Sequence, residues 1–211
     1  MSSGVIVMGA GGHAKVCIEL LQASGVDVAF AIGQEDSAEV CVGVKVLKGD
    51  HHLARLAKEG HREVFIAIGS NALRAKLADL ALQQGLNLIN AISPAANLSP
   101  TATLGLGIAI MAGATINADT RIGDLAIINT GATVDHDCRI GRAVHIAPQC
   151  GLAGNVTVDD RAFLGIGTKV IPNMTIGSDA IIGAGSVVVR PVVAGSKVCG
   201  APARSMTART L

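Results

Sequence analysis

From Leu98 to Val188 every sixth residue is aliphatic: Leu98, Leu104, Ile110, Ile116, Ile122, Ile128, Val134, Ile140, Ile146, Leu152, Val158, Leu164, Val170, Ile176, Ile182 and Val188. A period of six sustained over this length matches neither the 3.6-residue turn of an α-helix nor the alternation of a single strand. It matches a three-sided parallel β-helix, in which each hexad supplies one short strand and one corner. Three hexads, or 18 residues, then close a coil. The fifth position of the hexad is mostly small (Ala102, Ala114, Ala126, Ala132, Cys138, Cys150, Ala162, Ala180, Ser186). A second inward side chain must be small if a narrow prism is to close around the large one.

Ahead of the repeat the pattern changes to short apolar runs alternating with helical spacing. Val5–Met8 predicts a strand that runs into Gly9-Ala10-Gly11-Gly12-His13-Ala14, followed by a helix through Val16, Leu20 and Leu21. Val28–Ile32 predicts a second strand, Val64–Ile68 a third, and Leu73, Leu77 and Leu80 a helix with Asn71 as its N-cap. Leu86–Ile92 predicts a last strand before Ser93-Pro94. Strands alternating with helices imply a small Rossmann-like parallel sheet. The expected organisation is therefore two domains, 1–94 and 95–211.

Composition narrows the function. The net charge is +1, there is no Trp or Tyr, and there are three Phe, which argues against a nucleic-acid or anionic membrane surface and against base stacking on aromatics. Five cysteines form no CxxC pair. Cys138 and Cys150 fall on the small inward position, as core filler in a reducing compartment. No secretory signal is expected, because the apolar run Val5–Met8 passes straight into glycines. The uncharged stretch between Asp79 and Asp119 is broken by Pro94, Pro100 and glycines, so no membrane span is expected.

The glycine loop spells G-x-G-x-x-A, a dinucleotide fingerprint. A NAD site would place an acid at the end of the second strand, and this chain has Gly33-Gln34 there. Backbone N–H groups at a helix N-terminus still suit a phosphorylated ligand. His13 stands at the mouth of this turn, whereas His51, His52 and His61 lie in polar stretches and are expected at the surface. The repeat holds two histidines, His136 and His145, too few for a three-histidine zinc site, so no metal is expected. His136 falls at a corner with Asp137 beside it, and a carboxylate next to an imidazole raises its basicity. One coil further on stands Gly154, which would offer a bare backbone N–H facing the imidazole. A proton acceptor opposite an oxyanion donor is what acyl transfer requires.

Together with the tail Gly200-Ala201-Pro202-Ala203-Arg204, these motifs resemble the hexapeptide-repeat acyltransferases of the left-handed β-helix superfamily, and within it the sugar acetyltransferases of the bacillosamine, perosamine and sialic acid type. Ile68-Gly69-Ser70-Asn71 with Arg74, Ile128–Ala132 and Leu152–Asn155 carry the same resemblance. It implies a cytoplasmic, acetyl-CoA-dependent enzyme that acetylates the 4-amino group of a nucleotide-linked 4-amino-4,6-dideoxy sugar. His136 would be the general base, Asp137 its supporting carboxylate, and Gly154 the donor to the thioester oxygen. Gly11, Gly12, His13, Gly69 and Asn129 would bind the acceptor. His145, Ile166, Ala184 and Pro202 would line the path of acetyl-CoA, the last three stacked at intervals of 18. The resemblance also implies a homotrimer with sites between neighbouring β-helices. The nucleobase stays open between uracil and guanine, with the UDP-linked sugar placed first. An O-acetyltransferase of a sialic acid and a non-catalytic β-helix scaffold are the alternatives.

Overall fold

The computed structural model describes residues 4–206; positions 1–3 of the expected front domain and 207–211 of the expected tail lie outside the described residues. The chain divides into two compact units, one running to Pro94 and taking in Leu106–Ala109, the other comprising Ala95–Gly105 and the chain from Ile110 onward. Leu106–Ala109 joins the first unit because the Ala91 N–H donates to the Ile108 carbonyl and the Ile108 N–H donates to Asn90 Oδ1.

The first unit contains β1 (Val5–Met8), α1 (Gly12–Ala23), β2 (Val28–Gly33), β3 (Val40–Cys41), β4 (Val44–Lys48), α2 (His51–Lys58), β5 (Glu63–Ile66), α3 (Asn71–Gln83) and β6 (Asn87–Leu88). The sheet order is β3-β4-β2-β1-β5-β6, parallel except for the β3–β4 hairpin at one edge. All four residues of β1 are buried, as the central strand of a parallel sheet requires. The chain leaves β1 toward β2 on one side and reaches β5 on the other, so the C-terminal end of β1 is a topological switch point, where open α/β sheets form their ligand crevices.

Here the structure refines the pattern. Residues 40–58, without a clear period, form the hairpin and α2. The apolar run 86–92 is two separate short strands, Asn87–Leu88 and Ala91–Ile92. Ser70, not Asn71, occupies the N-cap position of α3, and Asn71 Oδ1 accepts a hydrogen bond from Arg74 instead. His61 is no surface residue: it is buried, with Nδ1 3.1 Å from the Gly4 carbonyl oxygen.

The second unit is the three-sided parallel β-helix. One face is built from Ala109–Ile110, Ile127–Ile128, His145–Ile146, Phe163–Leu164 and Ile181–Ile182. The next begins at Asn97–Leu98 and includes Thr133–Val134 and Gly151–Leu152, and the third begins at Thr103–Leu104 and includes Arg121–Ile122 and Arg139–Ile140. Pairing is parallel at an offset of 18: Thr133 opposite Gly151, Arg121 opposite Arg139, Ile127 opposite His145. From Ile110 to Val188 every aliphatic residue of the series is at most 3% exposed, and Cys138 and Cys150 fill the core beside them.

The count of 18 ends at the top of the column. Ile176 bridges to Val192 and Ile181 pairs with Lys197, offsets of 16. The strip containing Arg190-Pro191 is two residues short, and a proline cannot donate to a ladder. The chain then reverses, Lys197–Cys199 pairing antiparallel with Arg204–Ser205. Pro202 therefore does not stack 18 above Ala184. By the observed offset Gly200 takes that level, and Pro202 sits in the reversing turn.

Candidate functional site

His136 lies at the edge between the second and third faces of the β-helix. In four successive coils the residue following this edge position has a left-handed backbone: Asp119, Asp137, Asn155 and Asn173, with φ of 57°, 58°, 57° and 62°. Asp and Asn tolerate that conformation better than other residues with a Cβ. The turn thus brings Asp137 beside the preceding imidazole. The His136 Nδ1–H donates to Asp137 Oδ2 at 2.8 Å, and this bond, with the nearby Asp135 charge, holds the His136 pKa above its ordinary value. Because an ionised carboxylate only accepts, Nδ1 carries the proton of the neutral ring and Nε2 is left as the base. Both side chains are exposed, 58% and 60%.

Gly154 is directly one coil on, its edge stitched by the Asn155 N–H to His136 carbonyl bond of 2.9 Å. A Cβ on Gly154 would lie 2.5 Å from Cε1 and Nε2 of His136, so only glycine lets the ring occupy this place. Among the described residues the Gly154 N–H has no hydrogen-bond acceptor. An open depression of about 410 Å³ adjoins the same edge, lined by Asp119, Arg121, Asp137, Arg139 and Asn155.

Asn129 and His145 come together on the first face. The Asn129 amide nitrogen is 3.1 Å from His145 Nε2, and the His145 ring meets Phe163 edge-on, with centroids 5.3 Å apart. In a triangular column this face is opposite the edge that carries His136. Ile166 and Ala184 stack along the edge between the first and second faces, joined by the Gly185 N–H to Ile166 carbonyl bond of 2.8 Å. Ile166 is 52% exposed, and Ala184 is exposed as well. This exposed apolar strip suits the pantetheine arm of coenzyme A.

In the first unit a cavity of about 210 Å³ opens at the switch point, lined by Gly9, Ala10 and Gly11 after β1, Gly33 at the end of β2 with Gln34 and Ser37 after it, Asp50 after β4, and Ile68 after β5. Gly9 has φ +127°, and a Cβ there would meet the Ala67 carbonyl oxygen at 2.5 Å. Of the expected acceptor residues in this unit, Gly11 lines the cavity. Gly12 opens α1, and Gly69 receives its carbonyl hydrogen bond from Arg74 at 3.1 Å. His13 is half-buried, its Nε2 3.5 Å from Cys17 Sγ, and burial together with the Arg74 charge lowers its pKa to about 4. It is therefore a neutral hydrogen-bonding group at pH 7. Sequence reasoning missed Ser37 and Asp50. The signal for Asp50 was available only as an acid closing an apolar run that lacked a clear strand pattern.

Among the described residues no group of three or more His, Cys, Asp or Glu side chains is placed to hold a metal ion, and no helix is long and apolar enough to cross a membrane.

Residues 4–81 match the protein family described as the PglD N-terminal domain. Nearly the whole chain is similar to the perosamine N-acetyltransferase of Caulobacter crescentus, solved in complex with CoA and GDP-perosamine: 50% identity, 97% of each chain, TM-score 0.94. Two of those complexes carry a histidine replaced by Asn or Ala. The acetyltransferase domain of PglB from Neisseria gonorrhoeae, solved with acetyl coenzyme A, is 34% identical over 98% of this chain and 100% of that one, with a TM-score of 0.90. WeeI from Acinetobacter baumannii is 29% identical over 96% and 99%, with a TM-score of 0.87.

Proposed function

The chain belongs to the hexapeptide-repeat sugar acetyltransferases, with a Rossmann-like unit followed by a left-handed β-helix, and from that premise we propose that it transfers acetyl from acetyl-CoA to the 4-amino group of a GDP-linked 4-amino-4,6-dideoxy sugar. Half of its residues are shared with an enzyme crystallised with CoA and GDP-perosamine, which moves the guanine nucleotide ahead of the UDP-linked acceptor expected from sequence. The observation that carries the chemistry is the His136–Asp137 pair under Gly154.

In this reading the acceptor amine attacks the thioester carbonyl carbon while His136 Nε2 takes its proton. Asp137, bonded to Nδ1, stabilises the imidazolium as it forms. The Gly154 N–H donates to the oxygen that becomes negative in the tetrahedral intermediate. The C–S bond then breaks, the C–N bond remains, and coenzyme A leaves as its thiol. The polar depression beside Asp137 has room for a hydroxylated sugar ring, and Ile166 and Ala184 offer the pantetheine arm an apolar rail. The first unit, 1–94 in the expected division, serves as the nucleotide-binding domain, and 95–211 as the acetyltransferase domain. Gly11, Gly12, His13 and Gly69 contribute to holding the acceptor nucleotide.

A homotrimer completes this reading. His136 is on one edge of the prism, whereas Asn129 and His145 are on the opposite face, so a thioester lying along His145 of one copy meets His136 of its neighbour. Closed threefold packing supplies that neighbour to every copy. The use of a nucleotide-sugar acceptor and acetyl-CoA supports a cytoplasmic location.

The test is release of free thiol from acetyl-CoA with the GDP-linked amino sugar, against its 4-hydroxy counterpart as control. His136→Ala is expected to lower kcat by ~10²–10⁴-fold with acetyl-CoA binding retained. A kcat within a few-fold of wild type would overturn the role of His136, and faster turnover of the hydroxyl acceptor would overturn the substrate.

A further inference from the structure

The cavity at the switch point draws its walls from the C-terminal ends of neighbouring strands in the order β1, β2, β4. Adjacent strands are spaced ~4.8 Å apart, so Asp50, just past β4, lies on the order of 10 Å across the sheet from the glycine loop after β1. A nucleoside diphosphate crosses such a crevice with its phosphates at the loop and helix N-terminus, its ribose one strand on, and its base beyond. A nucleotide lying this way would set its phosphates at Gly11, its ribose at Gln34 and its base at Asp50.

The approach of Asp50 to this row is fixed by the backbone, since the Gly49 N–H donates to the Gly33 carbonyl at 2.9 Å. Asp50 precedes α2, but its side chain makes no capping hydrogen bond, and it takes part in no hydrogen bond or ion pair among the described residues. Ser37 Oγ, by contrast, is engaged, accepting from the Gln34 N–H at 2.9 Å. The cavity therefore presents one unengaged carboxylate at its far end.

We propose that Asp50 is the specificity residue of the acceptor site, selecting a guanine base by accepting hydrogen bonds from its ring N1–H and 2-amino group together. The inference rests on the nucleotide-sugar reading above. An ionised carboxylate is an acceptor only, and it pairs best with two parallel N–H donors. Guanine carries such a pair on adjacent atoms. Uracil offers one ring N–H between two carbonyl oxygens, which would face the carboxylate with like partial charge. A site built to satisfy one donor pattern rejects the base that lacks it more strongly than an apolar slot could. The acid that the second strand lacks is thus supplied by the next strand in the sheet, and it serves the base instead of the ribose.

The experiment is calorimetric titration of the full chain with GDP, IDP and UDP, on the wild type and on Asp50→Asn and Glu35→Gln. Inosine differs from guanosine only in lacking the 2-amino group. The wild type is expected to bind GDP ~10- to 100-fold more tightly than IDP or UDP. Asp50→Asn is expected to bring the three within a few-fold of one another, while Glu35→Gln, a neighbouring acid outside the cavity, keeps the wild-type order. Asn is itself a favoured residue before a helix, so the variant keeps the local fold, and the GDP–IDP comparison needs no variant. Equal binding of GDP and IDP by the wild type, or an undiminished GDP preference in Asp50→Asn, would overturn the proposal. Guanine-selective binding without acetyl transfer would overturn the activity and leave the base assignment standing. Acetyl transfer to GDP- and UDP-linked acceptors alike, indifferent to Asp50→Asn, would do the reverse.

Discussion

Asp137 does two things in one residue. Its left-handed backbone turns the corner, and its carboxylate fixes the tautomer of the imidazole before it. If His136 is the general base, the free-enzyme kcat/KM is expected to rise with pH as it loses its proton, and its raised pKa puts that rise above the ordinary histidine value of about 6.5. Asp137→Asn keeps a residue that tolerates the corner but removes the charge. The midpoint of the acidic limb is expected to move down and the plateau rate to fall about tenfold or more. An unmoved midpoint in the kcat/KM profile would remove Asp137 from that role. The vertical pairing of His136 with Gly154 was legible in the sequence, because both positions follow from a count of 18. Asp50 was not legible as a partner of Gly33 and Gln34, because β2 and β4 meet only through sheet pairing. The burial of His61 against the Gly4 carbonyl was hidden for the same reason: it depends on a residue 57 positions away.

The hexad is an element whose stability comes from stacking, each coil resting only on its neighbours. Leu164 is fully buried in a middle coil, and Leu164→Ala is expected to cost ~2–5 kcal/mol in denaturant unfolding through lost transfer energy and the cavity left behind. Ile181, outward on the same face and 40% exposed, should lose well under half as much on the same change. Equal losses would mean that the inward series does not carry the column. The series predicted the strands and the identity of the core, since a period is a local property. It did not predict the shortened final coil. There Pro191 interrupts the pattern, and the 16-residue offset emerges only from which backbone groups pair. In the first unit the buried runs of β1 and β2 were clear, whereas residues 40–58 were not: a five-residue strand and an eight-residue helix are too short to display a period.

At the scale of the whole molecule, the prism holds His136 on one edge and Asn129 and His145 on the opposite face, so the proposed transfer needs a neighbouring copy to unite them. Light scattering at micromolar concentration is expected to give about three times the 21.2 kDa chain mass. A monomeric mass with full activity would show that one copy suffices. The amino-acid sequence by itself determined the two architectures, the inward series, and the stacking of glycine over imidazole, because hydrophobic period and local turn chemistry repeat along the chain. Tertiary structure alone decided which strand ends gather around the switch-point cavity, which acid stands at its far end, and where the column departs from 18. Those are pairings between residues remote in the chain, set by backbone hydrogen bonds across strands, and no periodicity records them.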